Sequence, residues 1–408
     1  VHWTNGMVGG QESYVESALA ALARVGHPLL FFHEMEASLG QRTLRIPPGC
    51  GSVSVLQLGA KSFETLAAWS PDLLFINSLL SPDLEARLQQ VAPAVFFAHA
   101  YYGTCISGCK AFTRPGPTRP CTRQFGLACL ALYFPRGCGG RNPMTMWSHY
   151  RLQARRLSLL RGYRAILTSS GHMRQEYLNH GFAAEGVHTI HYPVEAPTSA
   201  PPERPPMCQR PLDHLLFLGR MDANKGGLLL LDALPEVRTL LNRPLRVTMA
   251  GDGPDGGRWR TRGDQLSAAH PDIRIHFPGW LGEADRLRAF DQADLLVVPS
   301  VWPEPFGLVG PEAGHRGVPA AAFAVGGIPD WLSDGVNGRV ADADPPTASK
   351  LASAIAACLA DRGEYERLST GARRLAGRFT TQHHLKSLES VLQSVIQSRE
   401  GGIPPTLE

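Results

Sequence analysis

The chain has 408 residues, 43% of them apolar, and a net charge of +4, the size and balance of a globular protein of two ordinary domains. No run of eighteen apolar residues occurs, so no transmembrane helix is expected. The opening "VHWTNGMVGGQESYV" lacks the charged start and apolar block of a signal peptide, so the expected location is the cytoplasm. Basic side chains are almost all Arg, with five lysines (Lys61, Lys110, Lys225, Lys350 and Lys386), and no basic run alternates with aromatics, which argues against a nucleic-acid-binding class.

In chain order, "VHW" before the loop "TNGMVGG" reads as a very short first strand or as the end of one that the sequence enters part-way, where a doubly wound sheet ordinarily opens on a longer apolar strand. "ESYVESALAALARVG" reads as a helix, with Val15, Ala18, Leu19 and Leu22 on one face and Gly26 ending it. "HPLLFFH", "PDLLFINS", "PAVFFAHA", "RAILTSS" and "VHTIHYPV" read as strands with little polar alternation, the mark of parallel sheets covered on both faces. The basic stretch "YRLQARRLSLLRGYR", 150–164, reads as a solvated helix ahead of the alternative, a membrane-surface helix, since its arginines spread around the helical wheel. The Pro-rich "EAPTSAPPERPPMCQRP", 195–211, marks a linker. Beyond it the strands "DHLLFLG", "LRVTMAG", "IRIHFPG", "DLLVVPS" and "PAAAFA" alternate with helical segments, and the chain after 364 is helical. The expected fold class is therefore α/β, with two doubly wound Rossmann-like domains and ligands at the carboxyl ends of the strands, in a cleft between the domains.

"VWPEPFGLVGPEAGHRGVP", 301–319, follows the strand "DLLVVPS". Pro303 and Pro305 keep Glu304 out of any helix, and Pro311 is tolerated only in a first turn. The helix is thus expected to start near Phe306 to Leu308, with Glu312 about one turn into it. Gly307 permits close approach of a ligand to the backbone. Two carboxylates around a helix start suit a ligand with sugar hydroxyls, phosphates and a ribose; two solvated surface acids are the alternative reading. In "FLGRMDANKGG", 217–227, Arg220 and Lys225 bracket a strand-end turn beside a helix start, the arrangement of a diphosphate clamp.

"AGDGPDGG", 250–257, matches G-x-G-x-x-G after a strand, but no acid ends the next strand. Gly251 and Gly253 therefore read as a tight turn beside the ligand and not as a nicotinamide site. Gly9 and Gly10 open the first helix, where backbone N–H groups can meet a phosphate, and His99 ends the strand "PAVFFAHA", where this fold class presents ligand groups. Five of the eight cysteines (Cys105, Cys109, Cys121, Cys129 and Cys138) fall in one Pro/Gly-rich segment without a C-x2-C knuckle. A bound metal, free thiols and disulfides are all open there, disulfides being the least expected in a cytosolic chain.

With these pieces assembled, the chain resembles a retaining glycosyltransferase of the GT-B fold, in the large family 4 of nucleotide-sugar enzymes. "GG-x-E" near the start, "GR…KG" at 219–226, "GDGP" at 251–254, "E-P-F-G-L-V-G-P-E" at 304–312 and "GGIPD…DG-x-N-G" at 326–338 occur in family order, and the two glutamates match the E-x7-E motif. The resemblance implies an N-terminal acceptor-binding domain over 1–195 with a cysteine-rich insertion at about 101–143. It further implies a linker at 196–211, a nucleotide-sugar domain over 212–378 and a final helical segment, 379–408, crossing back to the first domain. Glu304 would hold donor-sugar hydroxyls and Glu312 the ribose. Arg220 and Lys225 would bind the diphosphate in place of a metal, and Gly219 and Gly251 would line the donor site. Phe306, Gly307 and Leu308 would offer backbone N–H groups, His99 would lie by the transferred sugar, and Gly9 and Gly10 would form a loop over the phosphates.

The cysteine-rich stretch is similar to an insertion in one subset of these enzymes. Cys105, Cys121, Cys129 and Cys138 match its pattern and Cys109 is extra, implying a structural zinc or iron. The implied activity is transfer of a hexose-type sugar from a nucleotide diphosphate sugar to a polysaccharide, lipid-linked or small-molecule hydroxyl acceptor, with retention and without a catalytic metal. The implied setting is bacterial polysaccharide biosynthesis, in the cytoplasm or in peripheral contact with a membrane. The competing readings are a nucleotide-sugar epimerase on the same architecture, a nicotinamide-dependent oxidoreductase and a non-catalytic sugar-nucleotide binder.

Overall fold

The apolar runs become buried parallel strands, and the computed structural model describes them within residues 1–115, 118–195 and 213–400. Two units result: Val1–Cys109, Arg123–Pro193 and Thr381–Glu408 form unit 1, and Lys110–Thr122 with Val194–Thr380 form unit 2. The segment read as a linker, 196–211, lies outside the described residues.

In chain order the elements up to the linker are β1 (His2–Thr4), α1 (Gly10–Arg24), β2 (Leu30–Met35), β3 (Gly51–Ser54), α2 (Val55–Leu58), α3 (Lys61–Trp69), β4 (Leu74–Ile76), α4 (Pro82–Leu88), β5 (Ala94–Ala98), β6 (Ala111–Phe112), β7 (Arg119–Pro120), α5 (Ala128–Leu132), α6 (Pro143–Leu160), β8 (Ala165–Thr168), α7 (Gly171–Asn179) and β9 (Val187–Thr189). The strands of unit 1 form the parallel sets β3-β2-β1 and β4-β5-β8-β9. Backbone bonds from Val1 N to Phe75 O (2.7 Å) and from Asn77 N to Val1 O (3.0 Å) join β1 to β4, so the strand order reverses there.

The sequence reading does not contain β3, whose "GSVS" carries too little apolar character for a strand signal. Helix α6 starts earlier than the basic stretch suggested: Asn142 caps it and Pro143 opens it, both standard helix-start positions. Strands β6 and β7 form an antiparallel hairpin inside the cysteine-rich segment, closed by a Cys121 N to Lys110 O bond of 2.7 Å. This hairpin groups with unit 2 and not with the first domain, to which the sequence reading assigned the whole of 101–143.

Unit 2 continues with β10 (Asp213–Leu218), α8 (Gly227–Leu241), β11 (Leu245–Ala250), α9 (Gly256–Ala269), β12 (Ile273–Gly279), α10 (Glu283–Gln292), β13 (Leu295–Val298), α11 (Val309–His315), β14 (Ala320–Phe323), β15 (Gly338–Ala341), α12 (Ala348–Leu359) and α13 (Arg362–Ala376). Its six strands are parallel, in the order β12-β11-β10-β13-β14-β15. Leu215, Leu216, Val247, Leu295, Leu296 and Ala321 are buried at its centre, each large apolar side chain contributing about 1.5–3 kcal/mol. The order reverses between β10 and β13, the point at which such sheets bind ligands.

The last helix, α14 (Thr381–Glu400), belongs to unit 1. The Tyr14 hydroxyl donates to His384 Nε2 (3.2 Å), and His384 Nδ1 donates to the His191 carbonyl (2.7 Å). With both nitrogens committed to the neutral ring, burial lowers the His384 pKa from 6.5 to about 4. Unfolded chains therefore take up a proton below pH 6.5 that the folded chain refuses until about pH 4. Stability from this residue is complete above pH 6.5 and is lost as pH falls through that window, by up to about 3 kcal/mol. Thermal melts at pH 7.5 and 5.0 should show a lower Tm at the acid pH and a smaller difference in His384→Asn. An unchanged difference would remove His384 from that account.

Candidate active site

The loops that follow β10 and β13, neighbours in the sheet, lock together. Val301 N donates to Asn224 O (2.9 Å). Gly226 has φ 67°, and a Cβ there would lie 1.9 Å from the Pro299 carbonyl oxygen, so only glycine permits this approach. The contact brings Lys225 to Glu304: Nζ donates to Oε1 at 2.5 Å, and the Ser300 hydroxyl donates to the same oxygen at 2.6 Å. Lys225 Nζ also stands 5.5 Å from the centre of the Trp302 ring. Glu304 is 5% exposed, so its charge needs these partners. Both recorded bonds go to Oε1, which leaves Oε2 for a further donor.

The bend carrying Glu304 is held from behind. Gly327 N donates to the Glu304 carbonyl at 2.6 Å, and Gly326 adopts φ 59° against the same backbone. Trp331 Nε1 donates to the Phe306 carbonyl at 2.7 Å. A Cβ on Gly310 would lie 2.3 Å from the Trp331 ring, so the glycines of "PFGLVG" make room for this indole. The helix begins at Val309, with Leu308 as its cap and Pro311 in its first turn, slightly later than the sequence reading put it.

Glu312 lies in that first turn, and Arg286 from α10 donates to its Oε1 at 3.0 Å. Its Oε2 is buried with no protein partner among the described residues. Burial raises the Glu312 pKa, and the Arg286 guanidinium opposes the rise. A second pair, Arg316 with Asp291, ties α11 to α10 through two guanidinium bonds of 2.6 Å. Glu312 is therefore an anchored carboxylate with one oxygen that calls for a donor.

Other predicted residues are placed differently. Arg220 is exposed and pairs with Asp222 at 3.4 Å. Gly251 (φ 133°) and Gly253 (φ 159°) let the turn after β11 lie on the Gly219 and Met221 carbonyls, where a Cβ would come within 1.9 and 2.5 Å. These glycines serve packing between two loops, which accounts for the G-x-G pattern without a dinucleotide.

In unit 1, Gly9 caps α1 and its N–H donates to Glu12 Oε2 at 2.8 Å. Glu12 Oε1 accepts from Trp3 Nε1 (3.1 Å) and bonds His2 Nε2 (3.2 Å), so the acid of "GG-x-E" is a clamp between β1 and α1. A Cβ on Gly10 would meet nothing within 4 Å. His99 Nε2 donates to Asn77 Oδ1 (2.9 Å) and Nδ1 accepts from the Tyr192 hydroxyl (2.6 Å), while its ring stacks on Phe97 and Tyr192. Burial holds its pKa well below the ordinary value, so the ring is neutral.

Cys105, Cys129 and Cys138 belong to unit 1 and Cys121 to unit 2. Among the described residues no three Cys, His, Asp or Glu side chains gather so as to hold a metal ion. The sequence reading missed Ser300, Arg286 and Trp331. Trp331 directly follows "GGIPD" and was within reach of a motif reading, whereas nothing local marks the other two.

This arrangement of parallel sheets and strand-end loops defines the GT-B class of glycosyltransferase folds. The Anabaena protein HepE, solved with UDP and glucose, shares it at a TM-score of 0.65 and 17% identity, with 96% of this chain and 99% of that one covered. So does the sucrose-phosphate synthase of Thermosynechococcus elongatus, at a TM-score of 0.69 and 20% identity over 97% of this chain and 95% of that one. Residues 213–361, which hold the Lys225, Glu304 and Glu312 site, match the family described as "Glycosyl transferases group 1". The D-inositol 3-phosphate glycosyltransferase 1 of Catenulispora acidiphila is 32% identical over 54% of this chain and 55% of its own length. The chain spans about half the length of the curated relatives it matches.

Gly226→Ala should separate the two strand-end loops. The left-handed φ and the Pro299 carbonyl together should cost about 2 kcal/mol or more. Chemical denaturation should read this loss, and a variant as stable as the parent would refute the contact as described.

Proposed function

We propose that the protein is a retaining glycosyltransferase that moves a hexose-type sugar from a nucleotide diphosphate sugar to an acceptor hydroxyl. The observation that carries this reading is that Glu304 and Glu312 each bind protein donors through Oε1 and keep Oε2 available, beside a lysine at the sheet's reversal point. A carboxylate oxygen accepts strong hydrogen bonds from hydroxyls. Glu304 takes hydroxyls of the donor sugar, and Glu312 takes the ribose. Lys225 has three N–H donors, one of them on Glu304, so it can also meet the diphosphate. Arg220, exposed on the same strand-end loop, adds a second cation when a diphosphate binds. Because the relatives include a protein solved with UDP and glucose, UDP-glucose is the first donor to test.

Breaking the anomeric carbon–oxygen bond builds negative charge on the leaving diphosphate, and fixed cations stabilise it by a few kcal/mol per well-placed group. In the proposed front-face course the acceptor oxygen bonds the anomeric carbon on the side the diphosphate leaves, which retains configuration. The acceptor's proton passes to the departing phosphate oxygen. His99 is neutral with both nitrogens engaged, so in this scheme it shapes the sugar site and moves no proton. Gly10 offers backbone to the donor where a Cβ would meet nothing within 4 Å, and Gly9, its N–H held by Glu12, shapes the same loop.

The two glutamates should fail differently as Gln variants. Glu304→Gln acts where charge develops and should lower turnover and kcat/KM together, whereas Glu312→Gln, at the ribose, should chiefly raise the donor KM. A lost charged hydrogen bond costs about 1.5–3 kcal/mol, so each effect should reach roughly tenfold. Steady-state release of nucleotide diphosphate measures both, and two silent variants would defeat the site. With Lys225 and Arg220 in the metal's role, turnover should survive a chelator at full rate. Activity abolished by chelation and restored by magnesium would reject that assignment.

A further inference from the structure

Residues 86–175 contain twelve Arg and one Lys but no Asp or Glu. At the acid content of the whole chain, a stretch of this length would hold about eight. Folding sorts these cations. Arg156 turns inward, its guanidinium 4.2 Å from the centre of the Tyr102 ring, whereas Arg151 and Arg155 remain exposed on α6. Met144, Trp147, Arg151 and Arg155 recur at helical spacing along one exposed face. Met144 is 80% exposed, Trp147 52% and Leu127, just before α5, 76%. The Phe125 and Tyr150 rings, 5.1 Å apart, and Trp147, stacked 6.0 Å from Tyr150, bind the α5 segment to α6, so these apolar groups share one region of unit 1. Exposed Arg123 and Arg141 flank it.

Few acids oppose this face. Asp83 on α4 lies 3.8 Å from Arg155. Glu85 is buried and accepts the Tyr102 and Tyr163 hydroxyls, and Glu176 is buried in α7.

We propose that this face of unit 1, built on α5 and the exposed side of α6, docks on the surface of an anionic phospholipid bilayer. The exposed arginines outnumber the acids of this face and attract a negative surface, each contributing roughly fivefold in partition. Trp147 suits the headgroup region, and Met144 and Leu127 offer apolar contact with the acyl boundary. Thioether and aliphatic groups at the centre of the patch match neither a base nor a phosphate, which favours a bilayer over a nucleic acid. No helix among the described residues is long and apolar enough to cross a membrane, so the contact is peripheral.

Co-sedimentation of the full chain with vesicles tests this. Vesicles of phosphatidylcholine with phosphatidylglycerol should retain the protein at low salt and release it at high salt, and vesicles of phosphatidylcholine alone should not retain it. Arg151→Glu with Arg155→Glu should lower partition about tenfold or more, while donor binding and Tm stay as in the parent. Spin-labelled lipid should quench the protein's tryptophan fluorescence, and Trp147→Phe should remove most of that quenching. Equal retention by both vesicle types, or retention indifferent to the double variant, overturns the proposal. So does tight binding of a single-stranded oligonucleotide without vesicle binding.

Discussion

A carboxylate taken out of water costs several kcal/mol unless a cation or strong donors meet it, and the buried Glu304 meets this constraint through Lys225 and Ser300. The partners sit on loops after different strands, so the pair forms only if those loops touch. Gly226 makes the touch possible by lacking a Cβ under the Pro299 carbonyl. Gly326 and Gly327 hold the Glu304 backbone from the other side, and Trp331 supports the next residues by filling the space over Gly310. The glycines of the motif and the indole beneath it thus serve one ion pair at the sheet's reversal point.

Several acids of the interior differ in how their oxygens are used. Glu34 accepts Ser81 N through Oε1 and Leu80 N through Oε2. Glu85 gives one oxygen to each of two tyrosines, and Glu12 divides its oxygens between β1 side chains and the Gly9 N–H. These three are saturated and hold elements together. Glu304 and Glu312 each meet their protein donors through Oε1 alone, and Glu312 Oε2 is buried without a protein partner among the described residues. The same accounting describes His99, whose two nitrogens are both used and whose burial keeps it neutral.

Both units repeat one plan at different scales. In unit 1 the sheet reverses between β1 and β4, and there Gln11 donates to the Ser78 hydroxyl (2.7 Å) while Asn77 accepts from His99. In unit 2 it reverses between β10 and β13, where an ion pair replaces these neutral bonds. Neutral contacts thus mark the reversal in one unit and buried charge marks it in the other.

The sequence by itself determined the α/β class, the parallel strands of both units and the place of Glu304 and Glu312 around a helix start. These follow from short-range rules: apolar runs bury, and proline cannot sit inside a helix. Strands β3 and β15 escaped it because four residues with glycine leave no periodic signal. Only the tertiary structure decided that Lys225 pairs with Glu304, 79 positions away, that Arg286 holds Glu312, and that Arg220 stays out with Asp222. It also decided that Glu12 is a clamp, that His384 fastens the last helix to unit 1, and which arginines of α6 turn outward. Local pattern carries no record of these choices, because each depends on two distant backbones coming within hydrogen-bond reach. That approach is set by where glycine permits it and where buried charge requires it.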